Sequence, residues 1–354
     1  MRSTLRKLLL LASVALAPLA AAADLVLASQ STATEHTAYE LLGLGGNSYW
    51  ATAHASGAPR VDLTRLGPRG EISGSRASIA VPAMLLAGSR QPASTFSALA
   101  ALDGDGKWLL YRLEGQTPRV AAKADLSASF GFVAAVATLA DLAIVAGSDS
   151  DERPLVCVFD SQLKKVGQAV LTEPSHGVVS GVAVLGDALV LAANPAKGPG
   201  QARLWKMSSA LRALKNVELP GGAAAVTSHQ QGVLVSYSSG QDVFVQSFDV
   251  QLKGRWKTRA LVREGETTAF FVPVSLSRGA ALIGANRGRL AVVRLSPQGE
   301  LLRTSEDAVS GLMPPAGGYR VVVEADRLHV LGMARRRADP VTAQEVLFRF
   351  LDTP

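Results

Sequence analysis

A single cysteine, Cys157, is all the chain carries, so an intramolecular disulfide is excluded. It lies inside LVCVF, where a small buried hydrophobe is the expected role rather than a reactive thiol. Aromatic residues make up only 5% of the chain, which is poor material for sugar-stacking subsites. The five histidines (His36, His54, His176, His229 and His329) are scattered, and none forms the short-range pair of a metal signature. No Gly-x-Ser-x-Gly elbow occurs, and no Gly-rich loop precedes a helix, so nucleophile-elbow hydrolysis and nucleotide binding have no support. Ser161 and Lys164 match Ser-x-x-Lys by letters, but they sit in a turn rather than at a helix start. No convincing amphipathic helix is present; SALRAL (Ser209 to Leu214) is too short. No cofactor is implied.

A long apolar run occurs once, at the start. MRSTLRK brings Arg2, Arg6 and Lys7, LLLLASVALAPLA follows, and Ala21-Ala22-Ala23 supplies small residues for cleavage. The pattern predicts a secretory signal peptide over residues 1–23, too short to serve well as a membrane span. The leader has no Arg-Arg pair, which favours the ordinary unfolded-export route over the twin-arginine one, and no cysteine follows its apolar run for lipid attachment. The mature chain, 24–354, is expected in a periplasm or outside the cell, with no transmembrane segment. The charge of +7 is inflated by the leader: without its three bases, 33 Lys and Arg face 29 acids, about +4. That mild excess does not argue for nucleic acid.

What the sequence does contain is a repeat. A strand-like run ending on an apolar residue and followed by a turn recurs at Leu66, Leu113, Phe159, Met207, Phe248, Leu295 and Phe350. The gaps are 47, 46, 48, 41, 47 and 55 residues, so seven units tile the mature chain. Each unit holds about four strand-like runs; the third reads FGFVAAVATL, DLAIVAGSD, PLVCVFDS, GQAVLTEP. The two inner runs are nearly continuously apolar, as in strands buried on both faces, and the outer runs alternate with charge. Seven four-stranded units of this length predict an all-β, seven-bladed β-propeller with antiparallel blades, in one domain spanning 24–354.

TRLGPRGEI and VRLSPQGEL resemble the Arg-Leu-x-x-x-Gly hairpin of bacterial secreted β-propeller repeat proteins. The third, fourth and fifth units replace that glycine with leucine, and neither the Trp-Asp nor the double-glycine repeat signature is reproduced. The resemblance implies a fold and not an activity. The last unit stops after its third run, at QEVLFRFLD, while the mature N-terminus carries a spare one, DLVLAS. Leu25 to Ala28 is therefore expected to complete the seventh blade and close the ring, covering an exposed edge.

Candidate functional residues fall at hairpin tips. Turns between second and third strands share one end of a propeller. Two blades bring acids there: Asp103 and Asp105, then Asp149, Asp151 and Glu152. Two later blades bring Arg287 and Arg289, then Arg335, Arg336 and Arg337. A face polarised in this way could dock a protein of complementary charge; the plainer reading is solvated turn tips. Neither DGDG nor DSDE supplies the oxygen set a calcium loop needs. The third-to-fourth turns at the opposite end lean basic (Arg69, Arg119, Lys164, Lys165, Arg212, Lys215, Lys253, Arg255), suiting either an anionic contact or protection against sheet aggregation. The favoured expectation is an exported, monomeric, non-catalytic scaffold with a protein partner. A hydrolase or lyase with a channel-mouth site built from several blades is the second reading, and a binder of a small ligand or ion the third.

Overall fold

The computed structural model describes residues 25–350 apart from 34–35, 55–57, 68–71, 82, 92–93, 197–199, 263–270, 287–288, 307–311, 314–318, 325–326, 332 and 336–342. Among the described residues every regular element is a strand. Six consecutive four-stranded antiparallel sheets, each in simple up-and-down order, cover residues 36–79, 85–125, 132–170, 177–218, 222–262 and 272–306. They are called blades 1 to 6 below. The run SALRAL is a turn entering a strand, as its length requires.

The propeller follows from where the apolar residues go. In blade 3 the strands Leu142–Ser148 and Pro154–Phe159 are buried almost throughout, while the fourth strand, Lys165–Val170, alternates exposed and half-buried positions. A sheet with two apolar faces needs a neighbour on each side. The core is accordingly a series of seams between sheets. Leu42, Ala51 and Leu63 of blade 1 pack with Leu99 and Leu113 of blade 2. Ile144 and Val158 of blade 3 pack with Leu189 and Met207 of blade 4. Each fully buried leucine or valine contributes about 1.5–3 kcal/mol, so the seam between blades 1 and 2, with nine buried ones, dominates the stability of the blades it joins. The apolar anchors that mark the repeat (Leu66, Leu113, Phe159, Met207, Phe248 and Leu295) are all buried.

Cys157 belongs to the seam between blades 2 and 3 and is fully buried. Burial pushes its thiol up to about 11, against the smaller opposing pull of Lys165 and a Ser129 hydrogen bond. That environment makes a structural, unreactive cysteine.

One turn recurs at both ends of the sheets. Asp103 Oδ1 accepts the N–H groups of Asp105 and Lys107 at 3.0 and 2.8 Å. Asp149 does the same for Asp151 and Arg153, Asp160 for Gln162 and Lys164, and Asp249 for Gln251 and Lys253. Ser296 Oγ plays the role for Gln298 and Glu300. Three residues after each cap the backbone turns left-handed, at Gly106, Glu152, Leu163, Leu252 and Gly299; Ser208 and Leu211 form a sixth copy. Short polar side chains bond their own backbone two and four residues on, which fixes the turn. Glycine is the ordinary choice at positive φ. Leucine occupies that position in blades 3, 4 and 5, at φ of 57, 59 and 54°, because its side chain is buried in the seam with the preceding blade.

The C-terminal region differs from the six blades. Arg320–Glu324 pairs with Arg327–Leu331 as a two-stranded sheet. Leu25–Ala33 pairs antiparallel with Ala343–Phe350, from Leu25 opposite Phe350 to Ala33 opposite Ala343 with one register shift between Leu27 and Ser29, and Met333–Arg335 and Leu312–Met313 continue that sheet. The N-terminal strand is longer than the four residues the sequence suggests. Val322 packs with Leu41, Trp50 and Leu66, which joins this region to blade 1. The predicted signal peptide, residues 1–23, lies outside the described residues.

Candidate functional site

The acidic tips sit where the strand order places them, at one end of blades 2 and 3. Two of their acids are committed to the turns. Asp103 is largely buried and spends Oδ1 on backbone donors. Asp149 also pairs with the Arg153 guanidinium at 2.8 Å, and Asp151 pairs with the same group at 3.2 Å. Partial burial raises the Asp149 carboxyl, but the donors of Arg153 and Asp151 and the guanidinium charge outweigh it, leaving the group below the usual range. Glu152 occupies the left-handed position of the turn. Asp105 is exposed and takes no part in capping through its side chain. Turn capping accounts for Asp103 and Asp149, while Asp105, Asp151 and Glu152 are exposed. Arg287, Arg336 and Arg337 lie outside the described residues, and Arg289 and Arg335 are described as strand residues without their side chains. Among the described residues no group of three or more His, Cys, Asp or Glu is placed to hold a metal ion.

Histidines scattered in sequence acquire neighbours in blade 1. His54 Nε2 lies 2.5 Å from Asp62 Oδ2, and Ser78 Oγ donates to Asp62 Oδ1. Here the carboxylate stands between hydroxyl and imidazole. A hydrolytic relay needs the imidazole in the middle, so this order holds three strands together rather than activating Ser78. His36 lies opposite His54 in the strand register. In blade 5 His229 is buried with Nδ1 2.8 Å from Ser275 Oγ, and desolvation, helped by Arg255, lowers its pKa.

A buried ion cluster fastens blade 1 to both sides. Glu40 is fully buried on the first strand. Its Oε1 accepts from Leu41 N–H at 2.9 Å and from Arg90 Nε at 3.0 Å, and Oε2 accepts from Arg90 Nη2 at 3.1 Å. Arg320, from the C-terminal region, places Nε 3.2 Å from Oε2. Gly88 makes room, since a Cβ there would meet Leu42 and Glu40. Burial lowers the Arg320 pKa and the Glu40 carboxylate opposes that shift.

The end opposite the acidic tips carries two further features. A cavity of about 520 Å³ opens there, lined from four blades by Gln91, Ser94, Thr95, Thr138, Val184 and Ser228, with Leu139 and Ala140. Sequence reading missed all of them: they are neutral, and although Gln91, Thr138, Val184 and Ser228 follow one another at 47, 46 and 44 residues, only the folded sheets show that the repeat brings them to one mouth. The second feature lies on the outer strands. In blades 3, 4 and 6 a β-bulge falls just after the third-to-fourth turn, between Val158 and Phe159, Lys206 and Met207, and Arg294 and Leu295. The extra residue on the fourth strand is Val166, Leu214 or Leu302, exposed at 56, 57 and 56%. Blade 5 places Arg255 at this position. A bulge re-aims the side chain it carries. The three apolar residues thus project at one register position, beside Lys164, Lys165, Arg212, Lys215 and Arg303. The basic turns foreseen from sequence are here, with apolar partners that were not.

These sheets, seams and turns define the chain as a β-propeller. It is similar in structure to the WD40 domain of Toxoplasma gondii coronin, at TM-score 0.59 and 10% identity over 94% of this chain and 90% of that one. It is also similar to the Dos1 propeller, at TM-score 0.53 and 14% identity over 88% and 76% of the two chains. At these identities the likeness is one of fold, reached without the Trp-Asp signature. No family model matches the sequence, and no curated protein matches it. Among the described residues no helix is long and apolar enough to cross a membrane.

Proposed function

We propose that this chain is an exported, non-catalytic scaffold of the cell envelope or exterior, which binds a protein partner through the outer strands at its basic end. One observation carries the reading: three bulges in separate blades present Val166, Leu214 and Leu302 to solvent at equivalent positions, each beside lysine or arginine. Apolar side chains repeated on an outer surface fit a partner better than a monomer in isolation. The surrounding bases suit an acidic partner surface and would speed encounter and fix orientation. The acidic tips at the other end, where Asp103 and Asp149 cap their own turns and Asp149 and Asp151 pair with Arg153, are the weaker docking face. Export rests on the amino-terminal pattern of Arg2, Arg6 and Lys7 followed by an apolar run and Ala21-Ala22-Ala23.

Photo-cross-linking in the cells that produce the protein tests this. A photoreactive amino acid placed at position 166, 214 or 302 is expected to yield one shared adduct, and the same probe at 105 none. Adducts from 105 alone, or none from the three bulges, would remove the support for this face.

We further propose that the propeller has seven blades and that the strand Leu25–Ala33 closes it, in keeping with the resemblance to bacterial secreted propeller repeats. The pairing of that strand with Ala343–Phe350 supports this reading. Deleting residues 24–33 is then expected to lower the melting temperature by several degrees, since it removes a whole edge strand and each kcal/mol is worth about 1.5 °C in a chain of this length. A scanning calorimetry trace unchanged by the deletion would contradict closure.

A further inference from the structure

The cavity at the basic end points to a ligand of definite chemistry. Its lining residues are all uncharged, with Leu139, Ala140 and Val184 supplying apolar walls. The polar side chain with the most donors among them is the Gln91 carboxamide. The Thr138 backbone N–H lies 2.9 Å from Gln91 Oε1, and Thr138 Oγ1 lies 2.7 Å from the same atom. A backbone N–H can only donate, so the atom facing it must be the amide oxygen. The orientation of the carboxamide is therefore fixed by chemistry rather than by choice. Its Nε2 is directed away from Thr138, and no hydrogen bond to Nε2 is present among the described residues. The loop that carries Gln91 is itself closed, because Ser94 N–H donates to the Gln91 carbonyl. Ser228 Oγ–H is spent on the Val184 carbonyl. Gln91, held through its Oε1 with both amide protons left over, lines together with Ser94 and Thr95 a volume in the range of small-ligand sites.

We propose that this cavity binds an uncharged amide carbonyl group, of the kind a peptide backbone presents. Two N–H donors suit the two lone pairs of an sp2 oxygen, and the apolar walls suit the flanking carbons. A carboxylate would also accept these donors, but no lining side chain carries a cation to balance its charge, whereas a neutral amide needs none. The cavity and the bulge residues lie toward the same end of the propeller yet share no residue, so either can bind without the other.

Side-chain NMR tests this directly. Protein labelled with 15N-glutamine and 15N-threonine is titrated with N-acetyl-alanine-N-methylamide and, separately, with sodium acetate. The Gln91 side-chain signals are assigned by their loss in Q91E. The expected result is a saturable shift of Gln91 NH2 and of the Thr138 N–H with the neutral amide, at lower concentration than with acetate. Q91E keeps an oxygen facing Thr138 and replaces both free donors, so it should weaken the amide by tenfold or more, read at Thr138. Shifts that do not saturate would overturn the proposal. So would tighter binding of acetate, or amide binding unchanged in Q91E.

Discussion

Replacing Glu40 with glutamine is expected to destabilise the protein by about 3 kcal/mol, the range found when one partner of a buried ion pair is removed. The carboxylate is fully buried and is approached by two guanidiniums, from Arg90 on one side and Arg320 on the other. Glutamine has the same shape but no charge. It would leave Arg320, a group that does not readily lose its proton, in a site where burial already works against its charge. Arg90 is about one-third exposed and water softens its loss, so most of the cost falls on Arg320. Denaturant unfolding should show a lower midpoint at unchanged slope. The triple change of Glu40, Arg90 and Arg320 to leucine or methionine should recover much of the loss, because apolar replacement of a buried ion cluster is often neutral or better. If Glu40→Gln unfolds at the parental midpoint, the cluster is not what holds these seams.

The second large effect is expected at Gly299, and its size depends on a residue of the neighbouring blade. Leucine is the natural residue at the equivalent left-handed position in three other turns. At position 299 it should nevertheless cost about 3 kcal/mol, because a Cβ there would lie 2.3 Å from Cε3 of Trp256. Trp256 occupies the space that leucine fills elsewhere. Two seams back the sizes are reversed: Leu211 lies over Gly167, with its Cδ1 3.4 Å from where a Cβ would stand. Gly167 and Trp256 hold corresponding places on their fourth strands, opposite Val158 and Ser247. Trp256→Gly alone should cost at least as much, through the void it leaves. The double variant rebuilds the arrangement at Gly167 and Leu211, so a double-mutant cycle should give a favourable coupling of about 2 kcal/mol or more. Additive losses would show that the two residues do not share this space.

These pairs also show what the sequence makes legible. The repeat is visible because strand burial and turn chemistry are local: Phe159, Met207 and Phe248 can be aligned by eye, and each is buried as expected. The substitution of leucine for glycine in three turns is equally visible, but its reason lies in the preceding blade. The same limit applies to the candidate sites. Asp103 and Asp149 stand out as acids, while their work as turn caps emerges only when the left-handed residue three places on is seen to recur. Gln91, Thr138 and Ser228 stand at the repeat spacing, so their positions are legible, but they carry no charge and nothing in their chemistry singles them out as a site. The exposed bulge residues Val166, Leu214 and Leu302 read as ordinary strand residues until a one-residue slip turns them outward.

The reversed sizes at Gly167 with Leu211, and at Trp256 with Gly299, bear on modularity. Units that share a sheet, a turn and an anchor look interchangeable. They are not, because each outer strand is shaped for the turn of the unit that follows it. A unit moved elsewhere in the chain would carry half of a fitted joint to a stranger. Order along the chain is therefore written at the joints, and only adjacent pairs of units could be transplanted with their fit intact.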